Sequence, residues 1–137
     1  MKKRVLFICT HNSARSQMAE GLLRQLDNEH FEAYSAGTEA TQVRPLAIEA
    51  MAELSIDITQ QYSKTFQLYL DQPFDIVITV CDTAAEACPF FPGARQLWHW
   101  SFPDPSQAQG SHEEQLAVYR AVRDALRQRI EQELQFE

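Results

Sequence analysis

The apolar run Val5-Leu6-Phe7-Ile8 ends on Cys9, and after five intervening residues come Arg15 and Ser16, which open a helix-forming segment. A thiol and a guanidinium at the two ends of one short polar loop define a chemistry. The free N–H groups of a loop and of a helix start converge on anions. The same field favours a thiolate over a thiol. Arg15 can hold two oxygens of a tetrahedral oxyanion in a fork, which a lysine does less well. Ser16 can donate a hydrogen bond to the sulfur, helping it stay charged and later leave. Thr10, His11, Asn12, Ser13, Ala14, Arg15 and Ser16 are therefore the candidate oxyanion-binding loop, with Cys9 as nucleophile. A lone cysteine at a strand end would read instead as a small buried hydrophobe. The arginine and serine at this spacing set that reading aside.

A second pair of thiols, Cys81 and Cys88, encloses six residues. Cys81 follows the run Phe74–Val80, which reads as a strand, so it belongs to the same carboxyl edge as Cys9. If 81–88 were helical, the two sulfurs would lie about 10.5 Å apart along the axis. A disulfide needs Cα atoms roughly 4.4–6.8 Å apart. A Cys81–Cys88 bond thus requires the segment to open, which makes it a candidate redox switch. Asp104-Pro105 lies in a loop with three breakers, Pro103, Pro105 and Gly110. Such loops can reach over a site at a strand edge, and a carboxylic acid there can protonate a leaving oxide.

These groups need a scaffold. Strands are expected at Arg4–Cys9, Phe31–Ala36, Phe74–Val80 and from Ala94 to Trp98 or Trp100. Helices are expected at Ser16–Asn28, from Arg44-Pro45 to Leu54, and at Glu113–Leu134, with a helical turn at Phe66–Leu70 and a helix-prone segment at Thr83–Ala87. Met18, Leu22, Leu23 and Leu26 mark one face of the first helix. Leu116, Tyr119, Val122, Leu126, Ile130 and Leu134 mark one face of the last. Strands alternating with helices predict an α/β fold, a four-stranded parallel sheet flanked by helices. Residues 1–137 read as one domain, without an internal repeat.

The chain carries 19 Asp and Glu against 12 Lys and Arg, a formal charge of -7, which speaks against nucleic-acid or anionic-membrane partners. No apolar run approaches the ~20 residues of a membrane span, or the roughly 7–15 of a secretory segment. The expected location is the cytoplasm, where three cysteines are more readily catalytic than structural. The four histidines show no paired metal spacing, so no metal site is expected from them; no tightly bound cofactor is expected either.

Cys9, Arg15 and Ser16 after a first strand resemble the low-molecular-weight protein tyrosine phosphatases. The longer run Asn12-Ser13, then Arg15-Ser16-Gln17-Met18-Ala19-Glu20-Gly21, is more similar to the thioredoxin-coupled arsenate reductases built on that fold, and the resemblance continues to Arg120, Val122, Arg123 and Asp124. It departs at His11, where both families often have Gly, and at Ala14, where a second Cys is common.

The resemblance implies arsenate reduction by a relay. Cys9 attacks arsenate, Asp104 protonates the departing oxygen, Cys81 attacks the Cys9 adduct, and Cys88 attacks Cys81. A redox-active Cys81–Cys88 disulfide results, and thioredoxin, glutaredoxin or another small thiol donor reduces it. In related enzymes Asn, Glu, Ser and Asp residues bind potassium beneath the loop. Asn12, Glu20 and Ser35 match three of these, and Lys64 stands at the fourth. Either its ammonium replaces the ion and pairs with Glu20, or it is solvated. Two other readings remain at this stage: a low-molecular-weight tyrosine phosphatase, and a non-enzymatic thiol redox sensor. The expected protein is a monomer.

Overall fold

In a computed structural model, residues 2–82 and 91–134 are described. The chain runs β1 (Lys3–Cys9), α1 (Arg15–Asp27), β2 (Phe31–Gly37), α2 (Pro45–Ala52), a 3-10 turn (Phe66–Tyr69), β3 (Phe74–Thr79), β4 (Ala94–His99), a second 3-10 turn (Pro105–Gln107) and α3 (His112–Glu133). The four strands form one parallel sheet in the order β2-β1-β3-β4. This is the expected α/β class. The expected helix-prone segment at Thr83–Ala87, with Cys88, lies outside the described residues.

The pleat divides the core. Val5, Phe7, Ile76 and Ile78 face α1, α2 and α3, with Met18, Leu22, Met51, Tyr119 and Leu126 filling the space between. Leu6, Ile8, Val77 and Phe74 face the other way, against Tyr69 and Phe91, so among the described residues the second face is covered by the 3-10 turn rather than a full α-helix. Residues alternating across a strand point to opposite faces, which is why a continuous apolar run served both.

Two local departures have clear causes. Every residue of α1 from Arg15 to Leu23 is buried, whereas Leu26, expected on its apolar face, is 36% exposed. The helix begins in the middle of the molecule and ends at its surface, so depth along its axis overrides its stripe. The 3-10 turn at Pro105–Gln107 forms within the expected loop. Asp104 caps it by accepting a hydrogen bond from Ser106 N, and Pro105 supplies the first position. At α3, Ser111 and Glu114 form a reciprocal capping box that starts the helix at His112.

Strand order reverses at β1, whose neighbours are β2 on one side and β3 on the other. In open parallel sheets the crevice at such a point lies beyond the carboxyl ends of the strands. Cys9 is the last residue of β1, so it sits at the mouth of that crevice.

Candidate active site

The loop between β1 and α1 is held from outside by its own carbonyls. Thr10 O accepts from Glu39 N and Thr38 Oγ1, each at 3.0 Å. His11 O accepts from Thr41 Oγ1 and Ser63 Oγ, each at 3.1 Å. Asn12 O accepts from Gln17 Nε2 at 3.1 Å, and Ser13 O from Arg44 N at 2.9 Å. In a trans peptide the carbonyl and the following N–H point in opposite directions, and the described chain has no cis bond. Carbonyls pulled outward therefore turn the N–H groups of His11, Asn12, Ser13 and Ala14 inward. Asn12 adopts a left-handed φ of 48°, which asparagine tolerates better than most residues. Ala14, the residue before α1, makes no side-chain cap, so the first-turn N–H groups of that helix add to the same concavity.

Cys9 is a free thiol, 1% exposed, with Sγ 2.9 Å from Ser16 Oγ. Ser16 Oγ also accepts from Asn12 Nδ2 at 2.8 Å. Arg15 is buried, and its Nη1 donates to Phe102 O at 3.2 Å. Its Nη2 lies 3.8 Å from Asp104 Oδ2. The other oxygen of Asp104 accepts from Ser106 N at 2.9 Å and Ser106 Oγ at 2.7 Å, which orients Oδ2 toward the guanidinium. Thus Cys9, Ser16, Arg15 and Asp104 meet around one loop, although nearly ninety residues of sequence separate Arg15 from Asp104.

Cys81 is fully buried just beyond β3. Ile8 of β1 pairs with Thr79 of β3, and Val80 N donates to Ile8 O at 2.8 Å. That register places Cys9 and Cys81 on the same edge of adjacent strands. Cys88 lies outside the described residues, as does any bond it makes.

Beneath the loop, Glu20 is buried and accepts from Ser35 Oγ at 2.5 Å and Arg24 Nη2 at 2.7 Å. Lys64 Nζ stands farther off, 3.9 Å from Glu20 Oε1, donates to Tyr62 O at 2.9 Å, and lies over the Tyr62 ring. Burial pushes the Lys64 ammonium below the usual lysine range, and Glu20 opposes that shift. Lys64 reaches Asn12 through its backbone N, 2.9 Å from Oδ1. His11 turns outward, with Nδ1 3.3 Å from Glu39 Oε1. His99, the last residue of β4, lies 2.6 Å from Thr79 Oγ1 through its Nδ1. Among the described residues no group of three or more His, Cys, Asp or Glu is arranged to hold a metal. No described helix is long and apolar enough to cross a membrane.

Sequence reading missed Gly37, Gln17 and Ser106. A Cβ on Gly37 would lie 2.8 Å from Asn12 N and from Thr10 O, so the loop backbone fits against it only because it is glycine. Its place just after the expected strand Phe31–Ala36 carries no sign of this contact. Gln17 stands in the run that carries the family resemblance, but nothing in the sequence gives it or Ser106 a role at the site.

A thiol-based anion loop at the mouth of a four-stranded parallel sheet defines the class, and the chain belongs to the low molecular weight phosphotyrosine protein phosphatase family, whose sequence profile matches residues 4–136. Within it, the chain is 46% identical over 129 residues to an arsenate reductase of Halalkalibacterium halodurans, covering 94% of this chain and 93% of that one. It is similar in structure to an arsenate reductase in the phosphate-binding state, with a TM-score of 0.76, 33% identity and 95% of both chains covered. It is also similar to a thioredoxin-dependent arsenate reductase of Corynebacterium glutamicum, with a TM-score of 0.68 and 26% identity, across 96% of this chain and 61% of that one.

Proposed function

We propose that this protein is an arsenate reductase that works through a three-cysteine relay and is regenerated by thioredoxin, with residues 1–137 as one catalytic domain in the cytoplasm. The observation that supports it best is the β1–β3 register, which puts Cys81 at the same sheet edge as Cys9. A phosphatase needs only the loop and an acid, and has no use for a second thiol there.

In the proposed cycle, arsenate sits in the loop of residues 10–16, its oxygens on the inward N–H groups and on the Arg15 fork. Cys9 Sγ forms a bond to arsenic, and an oxygen leaves as water with a proton from Asp104. Cys81 thiolate then attacks Cys9 Sγ. The S–As bond breaks, its electron pair stays on arsenic, and arsenite departs while a Cys9–Cys81 disulfide forms. Cys88 attacks Cys81, releases Cys9 as thiolate, and leaves a Cys81–Cys88 disulfide that an external dithiol reduces. Glu20, Ser35 and Asn12, with the Lys64 ammonium in place of an ion, support the loop from below. The named dependence of the Corynebacterium relative favours thioredoxin as that dithiol over glutaredoxin.

The test is arsenate-dependent NADPH consumption in the presence of thioredoxin and thioredoxin reductase. The parent turns over repeatedly, and Cys9→Ser, Cys81→Ser and Cys88→Ser each lose multiple turnover. An inactive parent that still cleaves an aryl phosphate, with that activity intact in the Cys81 and Cys88 variants, would sink the reductase reading in favour of a phosphatase.

A further inference from the structure

Three buried or half-buried amides lead away from the nucleophile, and the identity of every atom in them is fixed by partners that can play one role only. Lys64 N is a donor and meets Asn12 at 2.9 Å, so the atom it meets is Oδ1. The other end of Asn12 is then Nδ2, which donates to Ser16 Oγ at 2.8 Å. Gln17 is fully buried, and one end of its amide faces Asn12 Oδ1 at 2.9 Å, Asn12 O at 3.1 Å and Tyr62 O at 3.0 Å. All three are acceptors, so that end is Nε2. Its opposite end is Oε1, which accepts from Gln61 Nε2 at 2.8 Å, and Gln61 Nε2 also donates to Gln17 O at 3.0 Å. Gln61 Oε1 faces Arg24 Nη1 at 3.4 Å, the longest link.

The hydrogen bonds therefore run head to tail in one direction, from Gln61 through Gln17 and Asn12 to Ser16. Ser16 Oγ accepts from Asn12, and among the described residues the one other close partner left for its proton is Cys9 Sγ at 2.9 Å, which as a thiolate can only accept. Aligned chains of this kind polarise one another and strengthen the last bond. Gly21 makes the outer link possible, since a Cβ there would lie 2.7 Å from Ile58 Cγ2 and push away the segment that carries Gln61.

We propose that Gln17 and Gln61 are positioning residues for the nucleophile: through Asn12 they fix which way the Ser16 hydroxyl points, and so keep a donor aimed at the Cys9 sulfur. Neither residue touches substrate. The inference rests on Cys9 being the attacking group.

The experiment follows alkylation of Cys9 by iodoacetamide across pH, resolved by mass spectrometry of its peptide, in the full-length protein. Gln17→Met keeps the length of the side chain and removes the amide. Gln61→Glu leaves only acceptors facing Gln17 Oε1 and O, which opposes the direction of the chain. Each is expected to slow Cys9 alkylation at pH 6 by about three- to tenfold, while the rates converge at high pH, where the sulfur is ionised regardless. In a Ser16→Ala background the same changes have no further effect, which a general loss of packing would not produce. Arsenate KM stays near the parent value while kcat falls. Alkylation profiles that superimpose on the parent in a folded Gln61→Glu variant overturn the proposal, as does an undiminished effect without Ser16. If Gln17→Met does not fold, Gln61→Glu decides alone. Arsenate reduction surviving in Cys9→Ser would instead sink the functional reading, whatever the alkylation profiles show.

Discussion

Gly37 closes β2 with its Cα directly against the loop that begins at Cys9, and a methyl group there would stand 2.8 Å from Asn12 N. The neighbouring atoms within 3.0 Å are all backbone, so no side-chain rotation relieves the contact. Gly37→Ala is expected to displace the loop, cost about 1–3 kcal/mol of stability, and weaken phosphate binding at least tenfold. Thermal unfolding and calorimetric titration with phosphate measure both. A variant that keeps parental phosphate affinity would mean that the loop yields without losing its shape.

Asp104 is oriented by Ser106 and faces Arg15. Asp104→Asn keeps the cap but removes the proton donor, and should lower the chemical step by roughly 10²–10⁴-fold. Ser106→Ala removes one of the two hydrogen bonds to Oδ1 and is expected to cost far less. Single-turnover arsenate reduction by the parent, Ser106→Ala and Asp104→Asn measures both losses.

Lys64 can be exchanged for an ion if its ammonium stands in for one. Lys64→Asp replaces the ammonium 3.9 Å from Glu20 Oε1 with a carboxylate facing the Glu20–Ser35 pair, an oxygen set suited to a hard monovalent cation. Potassium should raise the thermal stability of Lys64→Asp more than that of the parent, with sodium less effective. Equal responses of parent and variant to potassium would refute the idea.

Glu53 joins α2 to α3. The Arg120 guanidinium, and after it Arg123, hold its carboxyl down to about 2, against an ordinary value of 4.5. A folded value below the unfolded one means that the unfolded chain takes up the proton first as pH falls. The contribution is therefore complete above about pH 4.5 and is lost on acidification toward pH 2. Unfolding temperatures of parent and Glu53→Gln should differ most above pH 5 and converge near pH 2. Because the group is partly exposed, the difference should also shrink in high salt.

The sequence by itself determined the parts whose signal is local. Cys9, Arg15 and Ser16 lie within one turn of chain, and the apolar runs and helical stripes named the strands and helices to within a residue or two, since hydrophobic periodicity and capping act over neighbouring residues. It also singled out Cys81 and Asp104 as candidates. Only the tertiary structure decided what surrounds them. That Ile8 pairs with Thr79, making the strands that carry Cys9 and Cys81 immediate neighbours on the edge they were expected to share, depends on strand order. That the loop's N–H groups turn inward depends on donors from residues 38–44 and 63, and on the missing Cβ of Gly37. That Lys64 stops 3.9 Å short of Glu20, and that Gln61 lines up behind Gln17 and Asn12, depends on how α1 packs against the segment after α2. These are relations between groups far apart in the chain. No spacing encodes them, because hydrogen bonds and close contacts of this kind are satisfied only after the core has fixed where each backbone passes.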